Sequence, residues 1–158
     1  MYFKEIEATC LNADDTPWVQ FGLSDDVMLK FFNINPVKGE WIALSKTKAG
    51  VTLPKHYHTG KVIAYTISGR WKYEEHDFIA GPGSLVYEVA ASTHRPIIME
   101  EVIALNIAEG ESIFYNEDDT VAGVMNWKMA MDSYLEACEA QGFTPKDLTS
   151  FSKLAWAG

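Results

Sequence analysis

GVTLPKHYHTGKVIAYTISGRWKYEEHDFIAGPGSLVYEVAASTHRP, residues 50–96, alternates short β-prone runs with glycine and proline stops. Residues 51–58 run to Thr59-Gly60, residues 61–68 to Ser68-Gly69, and residues 70–79 to Gly81-Pro82-Gly83. Residues 84–89 and 94–99 follow. Apolar and aromatic runs bounded by such turns are strand signals. Working outward, residues 27–33 and 40–47 precede this block, and residues 101–108 and 111–115 follow it. About nine short strands with turns every 8–12 residues predict an all-β sandwich or barrel spanning about 27–115.

Helical periodicity enters only after the strands end. Trp127, Met131, Tyr134, Leu135 and Cys138 fall on one face of a helix expected over about 126–141. Asn126 is placed to cap its start and Gly142 to end it. This helix is expected to pack on the outside of the barrel. The residues after Pro145 carry no clear pattern.

The bulk properties narrow the partners. A chain of 158 residues suits one domain, expected over 1–158. The net charge of −9 opposes binding to nucleic acid, which needs a concentrated basic surface. It equally disfavours an anionic membrane surface, and no apolar run reaches the roughly 20 residues of a membrane helix. The opening MYFKEIEATC has no apolar core of a signal peptide. With Cys10 and Cys138 as the only cysteines, no disulfide framework is implied, and a cytoplasmic setting is expected.

The chemistry concentrates in the histidines. There are four, and three are arranged suggestively. His56 and His58 are two apart, so on an extended strand both rings point to one face. His94 opens a later strand and offers a third imidazole. Neutral imidazole ligates iron, zinc, copper and nickel. An isolated His-x-His also fits a half-exposed polar strand, so the surrounding pattern decides.

Gly50, His56, His58 and Gly69 reproduce the spacing of the first cupin motif, and Gly83 with His94 that of the second. Residues 40–110 therefore resemble the cupin superfamily. The His-x-His-Thr-Gly of 56–60, the Ser-Gly-Arg-Trp-x-Tyr of 68–73, the Gly-Ser-x-Val-Tyr-Glu of 83–88 and Thr93-His94 resemble the 2,4'-dihydroxyacetophenone dioxygenase-like cupins. The resemblance implies a double-stranded β-helix, or jelly-roll barrel, with a three-histidine non-haem iron site on His56, His58 and His94. Many cupins carry a glutamate ligand four residues after the second histidine; here that position is Val62. Val89, Ala91 and Ile98 also depart from the usual second motif.

Three neutral ligands leave the charge of a divalent ion uncompensated. Such a site favours an anionic bidentate ligand such as an enolate. The resemblance implies an Fe(II) dioxygenase that takes a small hydroxyketone or diketone and O2 and breaks a C–C bond to give carboxylic acids, and Trp71 with Tyr73 would suit an aryl substrate. Zn, Ni or Mn are alternative metals, since the same ligands accept several. Rival readings are a non-oxidative isomerase or hydrolase, a metal- or ligand-binding sensory cupin, and a degenerate cupin without metal.

Other residues fit around that centre. Glu88 is a candidate base for a hydroxyketone proton, or a partner for a ligand histidine. Tyr73 is a candidate donor to a bound oxyanion. Val62, Ala64, Trp71 and Val86 are expected to line the substrate pocket, with Ile63, Tyr65 and Ile67 on the opposite face. Arg95 is expected to pair with a surface acid, Lys55 to point away from the metal, and His76 to be exposed. Glu117-Asp118-Asp119 reads as a solvated loop. Cupins commonly pair through edge strands, so a homodimer or homotetramer is expected.

Overall fold

The computed structural model describes residues 10–149. The opening residues 1–9, read above for a signal segment, and residues 150–158 lie outside the described part. A 3-10 turn at Ala13–Asp15 leads into β1 (Val19–Gln20), β2 (Val27–Asn35), β3 (Glu40–Thr47), β4 (His56–His58), β5 (Val62–Ser68) and β6 (Trp71–Tyr73). Then come β7 (Leu85–Glu88), β8 (Thr93–His94), β9 (Pro96–Ile98), β10 (Val102–Glu109), β11 (Ser112–Tyr115), β12 (Val121–Met125) and α1 (Trp127–Gln141).

One six-stranded sheet has the order β1-β2-β3-β10-β5-β7. A four-stranded sheet runs β12-β11-β4-β8, and β6 pairs with β9. All pairings are antiparallel. The alternation in β5 appears as read: Val62, Ala64 and Thr66 are buried, while Tyr65 and Ile67 face out. Small inward side chains on this strand leave room inside the fold. Gly69 ends β5 with φ +82, and a Cβ there would stand 2.0 Å from the carbonyl oxygen of Glu101. Only glycine fits that turn.

Two expected strands are shorter than read, for one reason each. The run 51–58 breaks at Pro54, which has no N–H for a ladder. Val51 and Leu53 pair with Ile98 and Pro96, whereas His56–His58 joins the other sheet. The run 70–79 folds back on itself, because the backbone of Trp71 pairs with Ala80 in both directions. Strands β1 and β12 escaped the sequence reading. They are short, and β12 has only one buried residue, Met125.

The helix lies where its caps put it. The Asn126 side chain accepts from the N–H groups of Lys128 and Met129, and Gly142 closes the end in the left-handed conformation. Its buried stripe is Ala130, Tyr134 and Cys138, with Trp127 and Met131 packed at the margin. Leu135, expected on that face, is 44% exposed. At about 100° per residue it lies past the edge of the stripe. The helix packs on β1, β2 and β3. It is the one α-helix among the described residues, and no helix there is long and apolar enough to cross a membrane.

One residue in the second motif is conformationally costly. Ala91 has φ 66, and its N–H donates to the carbonyl of His58. A left-handed L-residue costs about 1–2 kcal/mol, part of which glycine returns as unfolded-state entropy. Ala91→Gly should therefore raise the melting temperature by about 1–3 °C. An unchanged or lower melting temperature in calorimetry would show that this turn is not strained.

Candidate metal centre

The three histidines arrive from two neighbouring strands. His56 and His58 face inward from β4, and β4 pairs with β8 so that His56 stands directly opposite His94. All three are buried, and their ring centroids are 4.7–5.0 Å apart. One ring nitrogen from each lies within 4.8 Å of the others. The Nε2 atoms of His58 and His94 are 3.1 Å apart. Two nitrogens about 2.1 Å from a shared octahedral ion stand about 3.0 Å apart.

The outer nitrogens are occupied elsewhere. His56 Nδ1 lies 3.0 Å from the carbonyl oxygen of Pro54. A carbonyl only accepts, so Nδ1 carries the proton and Nε2 presents its lone pair. His58 Nδ1 lies 3.0 Å from Ser112 Oγ. Burial, reinforced by the neighbouring His58, drives the His56 pKa down to about 3. That ring is an uncharged ligand throughout the neutral range. Such second partners fix ring orientation in metal sites. The donor set therefore fits a divalent metal.

Glu88 is the residue whose position changes the site most. Strand β7 pairs with β5 so that Glu88 is the cross-strand partner of Val62. The carboxylate missing from position 62 is thus replaced from the next strand. Glu88 Oε2 lies 2.8 Å from His58 Nε2 and 3.3 Å from His94 Nε2. Burial pushes its pKa up, but hydrogen bonds from His58 and His94 outweigh this and hold it well below the usual carboxylate range. The ion's charge is therefore not left uncompensated, as three neutral ligands alone would leave it: an anionic group stands against two of them.

Tyr73 joins the same cluster. Its hydroxyl donates to Glu88 Oε1, and its ring stacks on His94 with centroids 4.0 Å apart. Burial and the Glu88 carboxylate hold the phenol pKa well above its ordinary value, so it stays a donor. One side chain thus orients both the carboxylate and a candidate ligand. Trp71 donates to Thr66 and packs edge-on against Tyr73.

A cavity of about 160 Å³ adjoins the histidines. Val62, Ala64 and Trp71 line it, as do Glu88 and Tyr73. Val86, expected among them, does not; it packs against the cluster around Ala64 and Trp71. As the partner of Ala64 on an edge strand, it lies beside the cavity. Ser45 and Asn106 add polar groups that the sequence did not single out, and among the described residues no lysine or arginine lines the space. Ser112 was also missed, since nothing near it in the chain marks it as a histidine partner.

The remaining candidates sit outside. His76 is exposed and stacks on Phe78. Arg95 pairs with Glu117 at 3.1 Å and Glu74 at 3.6 Å, and Lys55 with Asp119 at 2.7 Å. The acidic loop is exposed, and it answers these two cations.

Comparison with known proteins agrees with this geometry. The chain is similar to an RmlC-like cupin protein from Ralstonia eutropha JMP134, with 46% identity, a TM-score of 0.88, and coverage of 94% of this chain and 98% of that one. A second protein from that organism, of unknown function with a cupin-like fold, is 22% identical, with a TM-score of 0.81 over 90% of this chain and 91% of that one. An acetylacetone dioxygenase from Acinetobacter johnsonii shares the fold at 18% identity and a TM-score of 0.72, over 83% of this chain and 92% of that one. No curated protein matches the sequence at a significant level. Residues 7–113 match the family described as the ChrR cupin-like domain. With its three-histidine metal-binding site, the chain belongs to this branch of the cupin superfamily and resembles the acetylacetone-dioxygenase-like cupins.

Proposed function

We propose that the protein is an Fe(II) dioxygenase acting on a small, uncharged hydroxyketone or diketone. The observation that carries this reading is the buried Glu88 carboxylate beside two of the three metal-binding histidines. A bound divalent metal would polarise two substrate oxygens and activate O2. Zn, Ni or Mn remain the alternative ions for the same donors.

The protein groups have separate tasks. Glu88 Oε2 takes the proton from the carbon next to the ketone, while Tyr73 steadies Oε1. The resulting monoanion and Glu88 together answer the charge of the ion, so a substrate bringing a further carboxylate is disfavoured. Among the described residues, no lysine or arginine in the cavity wall would pair with one. The size is informative: an apolar cavity of about 150 Å³ accommodates benzene. This space of about 160 Å³ suits one ring or a branched alkyl group. For a hydroxyketone RCOCH2OH, addition of O2 and cleavage between the two oxygen-bearing carbons gives RCOOH and HCOOH, which balances.

The same fold offers a surface for self-association, and we place a second copy of the chain there. Tyr65, Ile67, Leu85, Tyr87 and Val89 are 43–60% exposed on the outer side of β5 and β7. Strand β7 ends its sheet, so its free edge is open to a partner strand among the described residues. A contiguous patch of these five side chains reaches about 500 Å², near the largest found on monomers. That is more than half of the roughly 800 Å² each partner buries in a standard interface. No charged side chain interrupts the five, and an identical patch related by a two-fold axis is its complement.

Four measurements test these points. Anaerobic purification, metal assay and O2 uptake with 2-hydroxyacetophenones and β-diketones should show iron-dependent uptake and carboxylate products. His94→Ala should lower metal affinity at least about tenfold. Tight zinc with no uptake would instead favour a metal-holding sensory cupin. Glu88→Gln, at saturating metal, should retain the metal and lose about 10²–10⁴-fold in kcat; unchanged turnover would remove Glu88 from the chemistry. In sedimentation, the wild type should be dimeric or tetrameric, and the Leu85→Lys, Tyr87→Glu double variant should be a smaller species. A wild type that sediments as a monomer would leave the apolar edge without this explanation.

A further inference from the structure

A second cavity of about 110 Å³ lies between β1, β2, β12 and helix α1. Its inner wall is apolar, formed by Val19, Leu23 and Phe31. Its outer rim is Gln20, Gly22 and Met129, all exposed, together with Ser133. Three side chains, Phe21, Leu29 and Met125, line both this cavity and the one at the histidines. One layer of side chains therefore separates a surface-facing apolar chamber from the metal centre.

The contact beyond that layer leads to the ion. The Phe21 ring lies 5.2 Å from Phe114, and Phe114 lies 5.0 Å from the ring of His56. Glu88 stands against His58 and His94 instead. The apolar chamber thus approaches the histidine that Glu88 does not touch.

The three shared side chains differ in stiffness. Leu29 is held in β2 between partners, and Phe21 is held by its ring contact. Met125 is the last residue of an edge strand, and an unbranched thioether side chain re-arranges at low cost. An apolar chamber of about 110 Å³ takes a small gas molecule and rejects a hydrated polar ketone, which would shed water without gaining hydrogen bonds. We propose that this chamber is an access route for a small apolar gas, with Met125 as the swinging partition. The gas being O2 rests on the dioxygenase reading above; the route itself does not.

Two measurements test it, neither of them turnover. Crystals held under xenon should show the gas in the second cavity, since apolar cavities bind it. Ser133→Phe places a ring in that chamber from the helix and should remove the xenon. In the Fe(II)-loaded protein, the same variant should slow nitric oxide association by about fivefold or more, with Ser133→Ala unchanged. A passage alters arrival and departure equally, so dissociation should slow by the same factor and the equilibrium affinity should hold. Xenon confined to the metal cavity overturns the proposal, and so does an association rate in a folded Ser133→Phe protein within about twofold of wild type. If nitric oxide entry slows but no ketone supports O2 uptake, the route stands and the dioxygenase reading falls.

Discussion

Three imidazoles buried within 5 Å of one another are the constraint on which the rest of the structure depends. Buried polar rings are costly unless their nitrogens are satisfied. The fold meets this for two of the rings by dividing each between two jobs. The outer nitrogens of His56 and His58 face Pro54 and Ser112, and the inner ones converge. Tyr73 holds the third ring by stacking. What converges is a set of three imidazoles with one carboxylate beside them, which a cation completes.

The sheets serve that arrangement. Strand β4 lies between β8 and β11, so His56 and His58 are flanked by His94 on one side and by Ser112 and Phe114 on the other. Across the fold, β5 contributes small inward side chains that open the cavity, and β7 contributes the carboxylate. With Val62 where many cupins have a ligand glutamate, negative charge still stands at the centre. It comes from one strand away, on a residue that contacts ligand nitrogens and is held by a tyrosine.

The large side chains inside and outside this part of the fold have opposite consequences. Inside, Trp71 and Tyr73 on β6 line the cavity, and among the described residues no lysine or arginine does. Outside, Leu85, Tyr87 and Val89 leave an apolar strip on an edge strand. The strand that positions Glu88 is therefore also the strand that self-association would brace. Pairing at that edge would be linked to Glu88 through backbone, with no side chain shared between them.

The sequence by itself determined the parts that depend on neighbours a few residues away. These are the common face of His56 and His58, the inward parity of Val62, Ala64 and Thr66, and the capped helix from Asn126 to Gly142. Turn chemistry and side-chain period act over short spans, so they are legible in one chain. The motif spacing also carried His94 to the site. The tertiary structure alone decided the rest: Glu88 opposite Val62, Ser112 behind His58, the division of residues 51–58 between two sheets, and Val86 beside rather than in the cavity. Each depends on which strands become neighbours and in what register. That is settled by the burial and pairing of the whole sheet, which no local stretch of sequence contains.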